Sequence, residues 1–272
     1  MRRALVPYFR YVLPCALLGT ACTSPGGDSD VERGGAVAVT RARLGANETL
    51  TAVAAFFAPP GPPEESWPAR DACVVSAPAP SPSPTGTPVQ WRDAGSHVSL
   101  HGGSSALTLT RFETGGAIVY LAAPDADPAD VPLGVTYDLT IAGSTAPNGI
   151  ASKTIEDALE MPPAVGLSAP DFSSGAVALS GTSLHVGWSG GVGGREALVT
   201  LLVSGTAGSV TLRCATADDG SFALDAAHLA GLPSGPGLLG VTRADTTVSP
   251  LDGTIDLVAT GNVVESGPVL LP

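Results

Sequence analysis

Residues 134–143 read GVTYDLTIAG, and their alternation decides how the rest of the chain is read. Val135, Tyr137, Leu139 and Ile141 fall on one side of an extended backbone, and Thr136, Asp138 and Thr140 fall on the other. Side chains two apart share a face of a strand, so this stretch is a half-buried β-strand. The same period recurs downstream. SLHVGW (183–188) sets Leu184, Val186 and Trp188 against an outward His185, and SVTLRC (209–214) sets Val210, Leu212 and Cys214 against Thr211 and Arg213. HVSLHGG (97–103), ALTLTRF (106–112), GAIVYLAA (116–123) and GTIDLVATG (253–261) add further strands, joined by glycine-rich turns.

Helix signals are few. TIEDALEM (154–161) opens on Thr154-x-x-Asp157 and stops at Pro162-Pro163, and DAAHLAGLP (225–233) offers Asp225 as the cap of a very short helix. A sheet with one apolar face needs another sheet to cover it, so many short strands predict an all-β fold of β-sandwiches. APPGPPEESWP (58–68) and APAPSPSPTGTP (77–88) are too rich in proline for a ladder, because proline lacks the amide donor; they read as extended loops. The turn chemistry and double proline of 145–164 predict a linker between two domains. A β domain carrying the proline loops spans 36–144. A segment of immunoglobulin-like size and pattern, about 100 residues, spans 165–272.

The N-terminus gives an address. Arg2, Arg3 and Arg10 precede the apolar stretch Tyr11–Ala21, which is too short for the roughly 20 apolar residues of a membrane span. A basic start, a short apolar core and small residues at 19 and 21 form a signal peptide, residues 1–21, cut after Ala21. Leu18-Gly19-Thr20-Ala21-Cys22 resembles the lipobox of bacterial lipoproteins, with the leucine one position further from the cysteine than in that pattern. The resemblance implies a diacylglyceryl thioether and an acylated amine on Cys22. It also implies the outer membrane, since Thr23 is not the aspartate that retains such proteins at the inner one. Secretion without a lipid after the same cut is the alternative. TSPGGDSDVERGG (23–35) has the composition of a flexible tether. Once Cys15 leaves and Cys22 is consumed, Cys73 and Cys214 remain, a pair expected to form a disulfide in an oxidising compartment; the other reading is two buried thiols.

Removing residues 1–21 takes three arginines from the 13 basic side chains and none of the 25 acidic ones, leaving a net charge of about −15. Such a surface repels phosphate backbones, which disfavours nucleic acid as a partner. DAGSHVSLHGG (93–103), TYDLTIAG (136–143), HVGWSGG (185–191) and LRCATADDGSFALDAAHLAGLP (212–233) resemble a recurrent pattern in uncharacterised exported β-proteins of myxobacteria. There a W-[ST]-G turn precedes a strand pair, a cysteine strand and a short Leu-Pro helix. The resemblance spans about 90–272 and implies a fold, with no activity attached.

Three constellations invite a chemical reading. Gly187-Trp188-Ser189-Gly190-Gly191 fits G-x-S-x-G, with Asp218 or Asp219 and then His228 downstream in the order of an α/β-hydrolase. That chemistry needs the serine at a strand-to-helix turn with an oxyanion site beside it. Ser189 instead runs into another glycine turn and a strand pattern, and in a chain with 34 glycines the motif arises readily by chance. Asp125, Asp127 and Asp130 could form a Ca²⁺ loop, although Pro128 and the missing glycine depart from the EF-hand. His97 and His101, four apart on one strand, lie about 13 Å apart, too far for one zinc ion, and His185 sits on a different strand. The expectation is therefore a lipid-anchored envelope protein with no catalytic residues, metal or cofactor, which meets a protein or glycan through its loops. A Ser189–His228–Asp219 hydrolase and a Ca²⁺-dependent adhesive module are the alternatives.

Overall fold

The computed structural model describes residues 32–59, 67–76, 88–179, 183–206, 208–253 and 255–272. The leader, Cys22 and most of both proline-rich stretches lie outside these residues. The fold is all-β. Its frame is two long hairpins: β1 (Arg33–Leu44) with β2 (Asn47–Ala58), and β16 (Gly235–Asp252) with β17 (Ile255–Leu271). They join in parallel, β1 against β17, from Arg33 opposite Asp256 to Leu44 opposite Ser266. Arg33–Gly35, read from sequence as the end of the tether, thus belongs to β1.

From this frame the large sheet extends both ways. Beyond β2 lie β7 (Ala117–Leu121), β6 (Ser105–Thr114), β5 (His97–Gly102), β8 (Thr136–Ile141) and β9 (Lys153–Glu160). Beyond β16 lie β13 (Glu196–Gly205), β14 (Gly208–Ala217) and β3 (Cys73–Ser76). Two short strands, β4 (Gln90–Trp91) and β11 (Val177–Ala178), pair with the ends of β2 and β17. Hydrogen bonds therefore run without a break across the two segments anticipated from sequence. A second, smaller sheet of β10 (Gly166–Ala169), β12 (Ser183–Ser189) and β15 (Ser221–Asp225) covers the β13–β14–β16 part. Leu184, Val186 and Trp188 of β12 share one buried cluster with Val199, Leu201, Leu212 and Leu239 of the large sheet, the arrangement of a β-sandwich.

Residues 154–161, expected as a helix, are the strand β9. Ile155, Ala158 and Leu159 are its buried residues, spaced i, i+3, i+4, which from sequence looks like one face of a helix. A bulge produces that spacing. Between Leu139 opposite Ile155 and Tyr137 opposite Leu159, β9 carries two extra residues. Asp157 turns to φ 51° there, and its amide donates to the Asp138 carboxylate at 2.9 Å. Asp tolerates the left-handed region better than most residues. The other helix expectation holds: α1 (Ala226–Ala230) is five residues long, and the Asp225 side chain accepts the His228 amide at 2.9 Å.

β9, last in the hydrogen-bonded order, returns to the frame. Lys153 Nζ donates to the carbonyls of Pro250 (3.1 Å) and Leu251 (2.8 Å) on β16. The end of β9 crosses β17 at Gly261, where a Cβ would stand 2.2 Å from the Glu160 carbonyl oxygen. Only glycine permits that approach. Gly261→Ala should lower stability by about 1–3 kcal/mol, read as a lower urea midpoint at unchanged slope.

The opposite face of the large sheet is capped from the first proline-rich stretch. Trp67 packs on Leu198 and Ala215 with Ala244 alongside, a small cluster separate from the main core. The chain then extends the β14 ladder, with Asp71 N–H to Ala215 O at 2.8 Å and Ala215 N–H to Ala72 O at 3.1 Å, and enters β3. There Cys73 lies directly opposite Cys214 and the sulfurs are bonded, joining positions 141 residues apart.

Candidate functional site

Ser189 ends β12, and Gly190 comes next at φ 77°. No helix begins there: the turn leads into β13, and the Ser189 hydroxyl donates to the Gly166 carbonyl at 3.3 Å. Because Gly187 pairs with Ser221 and Ser183 with Asp225, the helix bearing His228 starts at the far end of the small sheet. Six residues of strand put Ser189 and His228 on the order of 20 Å apart. His228 pairs instead with Asp225, at 2.9 Å. Asp219 stays at the Ser189 end, exposed, and its carboxylate accepts the Ser221 amide of its own turn at 3.2 Å. The three residues of the hydrolase reading are not brought together.

Asp218 has a different task. It lies buried beneath the Ser189 turn, and its carboxylate accepts from Arg243 Nε (2.6 Å), Arg243 Nη2 (3.0 Å), Trp188 Nε1 (2.7 Å) and the Val192 amide (3.2 Å). Arg243, only 2 % exposed, also donates to the carbonyls of Ser189 (3.1 Å) and Ala164. Burial pushes the Asp218 carboxyl up, but the bonds from Arg243, Trp188 and Val192 outweigh it and hold the group below its ordinary value. These donors and acceptors meet one another within the protein, so the network positions backbone and leaves nothing aimed at a ligand. Its sequence signal is legible: Arg243 occupies the next inward position after Leu239 and Val241.

Two further polar clusters are also closed on themselves. The buried Tyr120 hydroxyl accepts from the Ala94 amide (2.7 Å) and donates to Asp93 (3.1 Å), which also takes Gly95 N–H and Ser144 O–H at 2.9 Å. Burial pushes the Tyr120 phenol up to about 12. Arg195, in the turn after Ser189, bridges Glu160 on β9 (3.0 Å) and Asp245 on β16. Burial and the Glu160 charge raise the Asp245 carboxyl against the pull of Arg195.

Asp125, Asp127 and Asp130 are exposed around a 3₁₀ turn at Pro128–Asp130, and Asp127 is committed to capping it, accepting the Ala129 amide at 2.8 Å. His97 and His101 face solvent on β5, and His185 does so on β12. Among the described residues no group of three or more His, Cys, Asp or Glu side chains is placed to hold a metal ion. No helix among them is long and apolar enough to cross a membrane.

Two depressions stand out among the described residues. One, of about 270 Å³, is lined chiefly by Leu179, Leu229, Leu232 and Leu271 beside α1. The larger, of about 470 Å³, lies between the β1–β2 turn, the segment 167–173 and β17 at 265–268. Its size falls within the roughly 300–1,000 Å³ of small-molecule sites. Its wall mixes apolar Leu44 and Phe172 with Asn47, Ser168, Asp171 and Glu265. Three stretches far apart in sequence build it, so no linear motif announces it.

No protein-family model, curated protein or solved structure matches the chain. The arrangement of the described residues is therefore the ground for a functional reading. It offers a mixed polar and apolar cleft, with the buried charged groups elsewhere already paired.

Proposed function

We propose that this chain is an exported, lipid-anchored envelope protein of the outer membrane whose all-β body binds a partner and does not catalyse. The supporting observation is the Cys73–Cys214 bond, a cross-link that persists in oxidising compartments, in a chain whose basic, apolar leader ends at Ala21, just before Cys22. More than one acyl chain on Cys22 would suffice for stable anchoring. The wide separation of Ser189 and His228 supports a binding role over hydrolysis. A formal charge of −12 over the whole sequence, and more after removal of the leader, turns the surface away from nucleic acid.

Expression with its own leader in a Gram-negative host tests the anchor. Intact mass should begin at residue 22 and carry a diacylglyceryl and an acyl group, and the protein should partition into the detergent phase of Triton X-114. Cys22→Ala should move it to the aqueous phase. An unmodified thiol at position 22, or detergent partition indifferent to that substitution, would refute the anchor.

A further inference from the structure

We infer that the cleft between the β1–β2 turn, residues 167–173 and β17 binds a neutral saccharide. The inference deepens the binding reading above by naming its ligand class.

Gly267 sets the floor of the cleft. A Cβ there would stand 2.4–2.5 Å from Cγ, Cδ1 and Cδ2 of Phe172, so the ring lies over the glycine backbone. The same ring lines the cleft. It is thus an apolar plate set on β17, open to a space large enough for a small ligand. Hydrogen-bonding groups surround it. The Asp171 carboxylate is oriented by the Ser173 amide at 2.9 Å, a bond that also holds its pKa below the ordinary value. Glu265 is fixed by Arg43 Nη2 at 2.5 Å, and Asn47 and Ser168 complete the wall.

Alternative ligand classes fit less well. An anion would meet two carboxylates, with the nearby Arg43 already paired to one of them. A wholly apolar ligand would strip water from Asp171, Glu265 and Asn47 without replacing their hydrogen bonds. A peptide adding as a strand needs a free sheet edge. Among the described residues, the β17 edge beside the cleft is open at the gap between Ser266, paired to Leu44, and Val269, paired to Val177, and Phe172 covers Gly267 within it. A pyranose suits both parts of the wall. Its C–H face stacks on an aromatic ring, and its hydroxyls donate to fixed carboxylates and exchange with the Asn47 amide.

The test is binding of chitotetraose to the detergent-solubilised full chain, monitored by calorimetry or ligand-observed NMR, with cellotetraose and a pentalysine peptide as comparisons. Saturable binding of at least one neutral oligosaccharide in the roughly millimolar range or tighter is expected. Phe172→Ala should weaken it about tenfold or more. Asp171→Asn, which leaves the ring in place, should also weaken it and serves if Phe172→Ala melts early. No binding of either sugar at about 5 mM overturns the inference, as does equal affinity in both variants or binding of pentalysine alone. The readout does not depend on the lipid, so sugar binding without Cys22 acylation would uphold this site while refuting the anchor, and the reverse result would do the opposite.

Discussion

Asp218→Asn should lower the unfolding free energy by about 3–5 kcal/mol, seen as a lower denaturant midpoint. The substitution hardly changes shape but leaves the Arg243 guanidinium, 2 % exposed, without its counter-charge. An uncompensated buried ion costs far more than the pair contributes when intact. The double variant Asp218→Asn, Arg243→Met removes both charges and should be less destabilised than the sum of the single changes. Additive losses would show that the pair is not energetically coupled. The pH dependence has a definite sign. Because the native Asp218 carboxyl is depressed, its contribution is complete above the ordinary value of 3.8. It is lost as the pH falls through the native value, so Asp218→Asn should flatten the acid limb of the stability curve.

Opening the Cys73–Cys214 bond should cost about 2–5 kcal/mol. The bond closes a loop of 141 residues, and in the chain-entropy account the stabilisation grows with the logarithm of that length. Cys73→Ala, Cys214→Ala is the clean comparison, since it leaves no free thiol. A local effect should accompany the global one. β3 is four residues long and pairs with β14, so the bond is its strongest restraint. Without it, trypsin should cut sooner at the exposed Arg70. Equal midpoints and equal cleavage rates in reduced and oxidised protein would refute both expectations.

Strands with one clean apolar face are readable in sequence, as β5, β8 and β12 show. Residues 154–161 mislead because the bulge at Asp157 imposes helical spacing on a strand. The long frame strands carry Ala, Val and Thr on both faces, so period two is weak where the sheet is most extensive. Arg243 stands on an inward position, which marks it as unusual, but its partner Asp218, in a turn 25 residues earlier, has no local signature. The Ser189 motif is a turn whose carbonyl serves Arg243. The cleft depends on Gly267 and Phe172 meeting across the fold, a contact that no spacing rule anticipates.

The parallel pairing of β1 with β17 bears on how the protein is made. Arg43 waits for a partner, Glu265, that emerges from the ribosome 222 residues after it. Until then one flank of β1 has its amides and carbonyls unclaimed, so contact order is high and consolidation is late. The same delay leaves an adhesive strand edge open to neighbouring chains until the two hairpins meet.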